Sequence, residues 1–176
     1  MTSLDNLLLI SGAGRKTFKT TFACEVIGHN RNSSVVGIKI SSHFHTQSSG
    51  ASSWKEVPGQ YEIYAEHNPD GLRDSNRMLN AGAEKVYYIQ CKKEALAEAF
   101  QSVLAELSPG QPIVCESGGL ADIVRPALHI ALTGDGTTGG GKDLHPLADM
   151  SVEKNEKGFS VAPERIVFQD GKWKFV

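Results

Sequence analysis

Residues 12–21 hold glycine, lysine and threonine at a spacing suited to binding phosphate. The segment reads GAGRKTFKTT and lies between an apolar run at 7–10 and a stretch with helical periodicity. Backbone N–H groups at the beginning of a helix, reinforced by the helix dipole, attract an anion to such a turn. A lysine just inside the helix would contact the outer phosphates, and the next hydroxyl would bind Mg²⁺. Lys19 and Thr20 occupy those two positions.

The glycine spacing of this turn differs from the P-loop motif, Gly-x-x-x-x-Gly-Lys-Thr. Counting back from Lys19, the motif requires glycine at 13 and 18, where the chain has Ala13 and Phe18. Gly12 and Gly14 flank the first position and supply conformational freedom there. Phe18 is predicted to place a bulky side chain where the backbone must approach phosphate. The alternative interpretation is a glycine-rich turn with a solvated lysine.

Positive charge in and near this turn favours a polyanion as the ligand. Arg15 and Lys16 lie inside the turn and raise its positive potential. Lys39 interrupts an apolar strand pattern near its end, where a buried lysine requires an acid or a phosphate as its partner. The predicted phosphate-binding residues are Gly12, Gly14, Arg15, Lys16, Lys19, Thr20, Thr21 and Lys39.

An acid at the end of another apolar run provides a second candidate for metal binding. Glu116 follows the run at 113–115, and ligands bind at the carboxyl ends of strands in parallel sheets. We therefore predict Thr20 and Glu116 as the Mg²⁺ ligands; the alternative is a carboxylate that caps a nearby turn. Weaker candidates, for which solvation or packing is the expected role, are His43, His45, Trp54, Arg73, Asp74 and Arg77.

A second glycine-rich string also has the P-loop spacing. Residues 136–143 read GTTGGGKD, with aspartate in place of the hydroxyl. His145 and Pro146 follow at once, and a helix does not easily begin there. The string therefore predicts a mobile glycine-rich loop and not a second phosphate-binding motif; closure of this loop over a ligand at the first turn stays open as an alternative.

Strand and helix patterns alternate along the chain. The predicted strands are 7–10, 34–40, 61–65, 85–90, 113–115, part of 126–133 and 149–152, and the predicted helices are 18–27, 72–81 and 93–107. Residues 43–59 are polar and lack periodicity, which predicts a long loop. Runs at 165–168 and 172–176 around a turn at 170–171 predict a hairpin. These patterns favour one α/β domain, 1–176, with a mainly parallel sheet flanked by helices and a C-terminal antiparallel hairpin.

Composition narrows the classes of function. The chain has 176 residues, 40% of them hydrophobic, and a formal net charge of -2, so we expect a soluble protein that binds neither nucleic acid nor membranes. Its three cysteines have no metal-binding spacing and are predicted to be buried free thiols. The first residues do not resemble a signal peptide, and no run approaches the ~20 apolar residues of a membrane span. We expect a cytoplasmic protein.

Three segments resemble the molybdopterin-guanine dinucleotide biosynthesis protein B family, in order along the chain. GIKISSHFH at 37–45 is similar to the family's Lys-His-x-x-His stretch, and PDGLRDSNRMLNAGA at 69–83 to its Lys-Asp-Ser…Arg…Ala-Gly-Ala segment. IVCESG at 113–118 is similar to its Val-Glu-Gly. With the turn after the first strand, the resemblance spans about residues 6–133. Ile40 replaces the family's histidine after Lys39, and the C-terminal hairpin has no counterpart.

This resemblance implies a P-loop NTPase-like fold and a role in molybdenum-cofactor maturation as a nucleotide-binding homodimer. The leading hypothesis is a protein that binds GTP or ATP with Mg²⁺; whether it also hydrolyses the nucleotide, as a weak NTPase, is left open. One alternative is a non-catalytic relative that binds another phosphate-bearing anion or a partner protein, as Phe18 suggests. A further alternative is a small-molecule kinase, which the same turn would support.

Overall fold

The computed structural model describes residues 1–12, 17–45, 51–134 and 146–176. Within these residues, nine strands form one sheet in the order β3-β4-β5-β2-β6-β1-β7-β8-β9. They are β1 (Thr2–Gly12), β2 (Val36–Ser41), β3 (Ala51–Val57), β4 (Tyr61–Glu66), β5 (Lys85–Cys91), β6 (Ile113–Glu116), β7 (Val124–Thr133), β8 (Met150–Asn155) and β9 (Gly158–Phe159).

The middle of this sheet is parallel. β1 pairs in parallel with β6 and β7, β2 with β5 and β6, and β7 with β8. β3, β4 and β9 add antiparallel pairs at the two edges. The chain passes from β1 to β2 across the position of β6, so the carboxyl ends of β1, β6 and β2 lie side by side. Such a crossover creates the crevice in which parallel sheets bind ligands.

In the described parts of the chain, three α-helices cover the two faces of the sheet: α1 (Lys19–His29), α2 (Asp74–Asn80) and α3 (Leu96–Leu104). Alternate residues of β1 point to opposite faces, which explains its unbroken apolar run. Leu8 and Ile10 pack with side chains of α1 and α2, whereas Leu7 and Leu9 pack with those of α3. The α/β class and the mainly parallel sheet flanked by helices are confirmed.

The predicted C-terminal hairpin is confirmed as β10 (Ile166–Gln169) and β11 (Lys172–Phe175), which pair antiparallel. Trp173 is buried, and its indole N–H donates to the Asn6 carbonyl at 2.9 Å. The Asn30 side chain donates to the Ile166 carbonyl at 2.9 Å and accepts from the Phe168 amide at 3.0 Å. These contacts fix the hairpin against β1 and the end of α1.

The predicted long loop at 43–59 is wrong in its second half. β3 occupies Ala51–Val57 and forms an antiparallel hairpin with β4. Its described side chains, 52–57, are mostly exposed because it is the edge strand of the sheet, so the sequence shows no apolar alternation. The predicted strand at 61–65 exists, but it runs antiparallel to β5.

Two predicted helices are shorter than expected. α2 begins at Asp74, because Arg73 is extended with ψ 160° and its amide donates to the Asn76 side chain at 3.1 Å. The predicted helix at 93–107 divides into a 3₁₀ turn, Lys93–Ala95, and α3, which ends at Leu104.

The three cysteines are free thiols, as predicted, although only Cys91 and Cys115 are fully buried and Cys24 is half-buried. Burial raises the pKa of Cys24 and of Cys91 to about 11. Both thiols therefore stay protonated at neutral pH and are poor nucleophiles. In the described parts of the chain, no helix has the length and apolar character needed to cross a membrane.

Candidate functional site

The turn after β1 begins at a glycine with no room for a side chain. A Cβ atom at Gly12 would lie 2.8 Å from the Leu132 carbonyl oxygen and 2.8 Å from the Thr17 hydroxyl. Leu132 belongs to β7, the parallel neighbour of β1, so its backbone cannot easily move away. Gly14, Arg15 and Lys16, three of the predicted phosphate-binding residues, lie outside the described residues, as does the second glycine-rich string at 136–143.

Phe18 has the backbone conformation that glycine favours. Its φ is 59° and its ψ is 23°, in the left-handed region, and it directly precedes α1. The Phe18 carbonyl accepts the first helical hydrogen bond, from Phe22, at 3.0 Å. Its ring is 46% exposed and lies 5.9 Å from the Lys154 ammonium of β8. A bulky side chain in this region costs about 1–3 kcal/mol, and such strain is concentrated at functional turns.

Thr20 and Glu116 are in direct contact. The Thr20 hydroxyl donates to Oε2 of Glu116 at 2.7 Å, and both side chains are buried. Thr20 lies in the first turn of α1, and Glu116 ends β6, in register with Ile10 of β1. The loop–helix connection and the neighbouring strand thus bring together the two residues that the sequence analysis predicts as Mg²⁺ ligands.

Lys39 joins this pair and links it to α2. Its ammonium donates to Oε1 of Glu116 and lies 2.8 Å from Oδ2 of Asp74. Burial alone would lower the pKa of Lys39, but the carboxylates of Glu116 and Asp74 outweigh it and raise that pKa. Burial acts to raise the pKa of Asp74, yet Lys39, with smaller effects from Thr20 and Arg77, holds it below its ordinary value. Both members of the pair are therefore charged at neutral pH.

Lys19 adds a second ammonium group to the site. Its Nζ donates to the Thr17 hydroxyl at 2.7 Å, which orients the side chain along the turn. Burial lowers the pKa of Lys19, and the nearby charge of Lys39 adds to this effect, while Glu116 opposes it. Lys19 and Lys39 thus bring two positive charges to the region of the buried Glu116 carboxylate, and such positive charge attracts an anion.

Thr21 and α2 are joined by Arg77. The Arg77 guanidinium donates to the Thr21 hydroxyl at 2.9 Å and lies 3.8 Å from Oδ1 of Asp74. The Thr21 hydroxyl thus contacts α2 in the described arrangement. The sequence favours a solvated charged face for Asp74 and Arg77; their side chains are 40% and 41% exposed, and both also contact residues of the site. Their spacing of three on a short helix was the available signal, and it does not identify a partner.

The other weak candidates have contacts with residues outside this cluster. His43 and His45 are exposed, and the His45 amide donates to the Gln90 side chain at 2.6 Å. Trp54 packs against Tyr87 on β5 at a ring distance of 5.5 Å, which fits a packing role. Arg73 lies 3.4 Å from the buried carboxylate of Glu66, before α2 begins.

The oxygen atoms of the cluster suit a hard divalent cation. Mg²⁺ commonly takes one or two protein oxygens and completes its shell with water and phosphate. Thr20 provides a hydroxyl and Glu116 a carboxylate of this type. Both lie at the N-terminal end of α1, and this end of the helix carries a positive partial charge. Among the residues that the structure describes, no three His, Cys, Asp or Glu side chains are grouped closely enough to hold a metal by themselves.

Fold and site together define an α/β protein with a mainly parallel sheet and a charged polar cluster at the carboxyl ends of β1, β2 and β6. Comparisons with protein-family models, curated proteins and solved structures found no match. The class of ligand is therefore inferred from the charges, donors and acceptors of the cluster itself.

Proposed function

We propose that this chain is a P-loop-type nucleotide-binding protein that holds the phosphates of GTP or ATP, with Mg²⁺, at the turn between β1 and α1. The observation that carries the proposal is the 2.7 Å contact between Thr20 and Glu116. A hydroxyl in the first helical turn beside an acid that ends a neighbouring parallel strand is the pair that binds nucleotide-associated Mg²⁺ in this class of site.

The beginning of α1 supports phosphate binding in two ways. Its first turn carries no acidic residue, so no acid of α1 itself offsets the positive end of the helix dipole. Lys19, in that turn, provides an ammonium group for the outer phosphate oxygens. Lys39 reaches the same region from β2 and supplies a second positive charge beside the phosphates.

The conformation of Phe18 supports the proposal despite its side chain. A phosphate-binding turn needs a left-handed residue before its lysine so that amide groups converge on the ligand. Phe18 supplies that backbone conformation, with φ 59°, while its ring is half exposed. We therefore propose that the turn functions without the second glycine of the motif, at a cost in stability.

The rival function is non-catalytic binding of another anion or of a partner protein. The cluster favours it in one respect, because Lys39 is already paired with Glu116 and Asp74. A link to molybdenum-cofactor maturation rests on the resemblance of the three segments, and a homodimer rests on the same resemblance.

Titration of the purified protein with fluorescent GTP and ATP analogues, with and without Mg²⁺, tests the proposal. We expect saturable, Mg²⁺-strengthened binding that Lys19→Ala weakens by at least tenfold, about 1.4 kcal/mol. Lys93→Ala is the matched control, since Lys93 is an exposed lysine in the 3₁₀ turn before α3. No saturable binding at millimolar nucleotide, or equal losses in both variants, would contradict the proposal.

A further inference from the structure

We infer that a cavity beside β7 binds a free α-amino acid with an apolar side chain. The cavity has a volume of about 380 Å³, and its walls come from the first half of β7, the 3₁₀ turn Leu120–Asp122 before that strand and the residues just before β8. Proteins bind single small molecules in pockets of about 300–1,000 Å³. The volume therefore suits a ligand at the small end of that range.

The cavity and the proposed phosphate site lie towards opposite ends of the same strands. Arg125, which lines the cavity, is in register with Ser3 near the beginning of β1. Gly12, where the phosphate turn begins, is in register with Leu132 near the end of β7. The inference therefore concerns a second site and does not depend on the proposed function.

The floor of the cavity is apolar. Ala121 and Val124 line it, and both side chains are buried. They belong to the same hydrophobic cluster as Leu7 and Leu9 of β1, so the floor is continuous with the core of the protein. Neither side chain can form a hydrogen bond, and a polar group buried without such a bond is unfavourable. The part of a ligand that contacts this floor must therefore be apolar.

His129 holds one wall of the cavity in place. Its Nδ1 donates to the Leu147 carbonyl at 3.0 Å, because a carbonyl only accepts, and in the neutral ring Nε2 accepts from the Ser11 hydroxyl at 2.8 Å. The His129 amide donates to Oδ2 of Asp149 at 2.7 Å, and the Asp149 amide donates to the His129 carbonyl at 2.9 Å. Residues 147 and 149 are thus fixed against β7, as expected for a preformed binding pocket.

The rim of the cavity carries one positive and one negative side chain. Arg125 and Asp149 both line the cavity and both are exposed. Arg125 lies four residues before His129, so the alternation of a strand places these two side chains on the same face of β7. Among the described residues, no ion pair joins Arg125 to Asp149. Each of the two charges can therefore pair with an opposite charge on a ligand.

These features favour a ligand that has two opposite charges and an apolar body. The guanidinium of Arg125 suits a carboxylate, and the carboxylate of Asp149 can accept from an ammonium group in addition to the His129 amide. A ligand with only one charge would leave one of the rim charges unpaired, beside a charge of its own sign. An α-amino acid carries both charges on one carbon, whereas a peptide separates them. A free amino acid with an apolar side chain therefore matches both the rim and the floor.

Isothermal titration calorimetry of the full chain with three related probes tests the inference. L-phenylalanine has both charges, 3-phenylpropionate lacks the ammonium group and phenethylamine lacks the carboxylate. We expect saturable binding of one L-phenylalanine per chain with a Kd of about 1 mM or lower, and affinities at least about tenfold weaker for the other two probes.

Two exposed positions separate the contributions of the two charges. Arg125→Gln should weaken L-phenylalanine and 3-phenylpropionate at least about tenfold and leave phenethylamine nearly unchanged. Asp149→Asn keeps an oxygen that accepts from the His129 amide, and it should weaken L-phenylalanine and phenethylamine instead. Arg31→Gln and Asp70→Asn remove the same charges from exposed residues that do not line the cavity, and they should bind as wild type does.

Three results would overturn the inference. The first is no saturable binding of L-phenylalanine by the wild-type chain in the tens of millimolar. The second is equal affinity for the three probes, which would show that the rim charges select nothing. The third is unchanged binding in Arg125→Gln and Asp149→Asn, or equal losses in the two control variants. Thermal unfolding of each variant without ligand verifies that folded proteins are compared.

Discussion

The ammonium group of Lys39 lies 2.8 Å from the carboxylate of Asp74 and also contacts Glu116, so one side chain of β2 holds two acids from different elements. Glu116 ends β6 and Asp74 begins α2. The ion pair with Glu116 is largely buried, whereas Asp74 faces solvent. Lys39 therefore connects the buried part of the site to its accessible part, and its removal would affect the two acids differently.

Lys39→Met should destabilise the fold strongly. The substitution leaves the carboxylate of Glu116 buried without its cation, and breaking a buried pair in this way costs about 3–5 kcal/mol. Urea unfolding measures the change. Adding Glu116→Gln to Lys39→Met should recover a substantial part of the loss, because the amide carries no charge to compensate. If the changes in unfolding free energy caused by the two substitutions are additive, Lys39 and Glu116 are not energetically coupled and this interpretation is wrong.

The contribution of Asp74 to stability should depend on pH. Its pKa is lowered in the folded chain from an ordinary value of 3.8, so ionisation favours the folded state above that value. As the pH falls through the lowered pKa, both states bind the proton and the contribution is lost. We expect wild type to be more stable than Asp74→Asn at neutral pH, and the difference to decrease towards zero below about pH 4. Urea unfolding of both proteins across this range measures it, and a pH-independent difference would contradict the assignment.

Part of the site was predictable because its residues end elements with clear apolar patterns. The run at 7–10 identifies β1, the run at 113–115 identifies β6, and the helical periodicity after residue 18 identifies α1. Thr20 and Glu116 follow directly from those boundaries, since strand and helix ends converge at one edge of a parallel sheet. The lysine at 39, in an apolar strand pattern, also predicted a charged partner, because burying an unpaired charge costs too much free energy.

The place of Asp74 in the site had no such local signal. It depends on how closely α2 packs against β2 over Gly37, which is a long-range relation between segments far apart in sequence.

β3 was not predicted, for a different reason. As an edge strand with exposed polar side chains it is held by backbone hydrogen bonds to β4, and those leave no apolar alternation in the sequence.

Phe18 offers a direct comparison between backbone strain and side-chain size. Phe18→Ala removes the ring but keeps a Cβ in the left-handed region, whereas Phe18→Gly removes the ring and the strain together. We expect the glycine variant to be more stable than the alanine variant by about 1 kcal/mol, as measured by urea unfolding. If the ring also hinders the phosphates, both variants should bind nucleotide more tightly than wild type. Equal stability of the two variants would show that the φ of 59° carries no strain.

Gly12→Ala should disrupt the beginning of the phosphate-binding turn. The new methyl group would lie 2.8 Å from the Leu132 carbonyl oxygen, and this backbone atom is held in the sheet beside β1. We expect a loss of about 1–3 kcal/mol in unfolding free energy, with weaker nucleotide binding because the turn is displaced.

Gly118→Ala is the matched control for this substitution. Gly118 lies two residues after Glu116, and a Cβ atom there meets nothing within 4 Å. We expect its stability to stay within about 0.5 kcal/mol of wild type, as for an ordinary surface substitution. Both variants add one methyl group near the same edge of the sheet. The difference between their unfolding free energies therefore measures the cost of placing a methyl group where β1 closely approaches β7. If Gly12→Ala is as stable as Gly118→Ala and binds nucleotide normally, the tight contact at Gly12 is not required by the site.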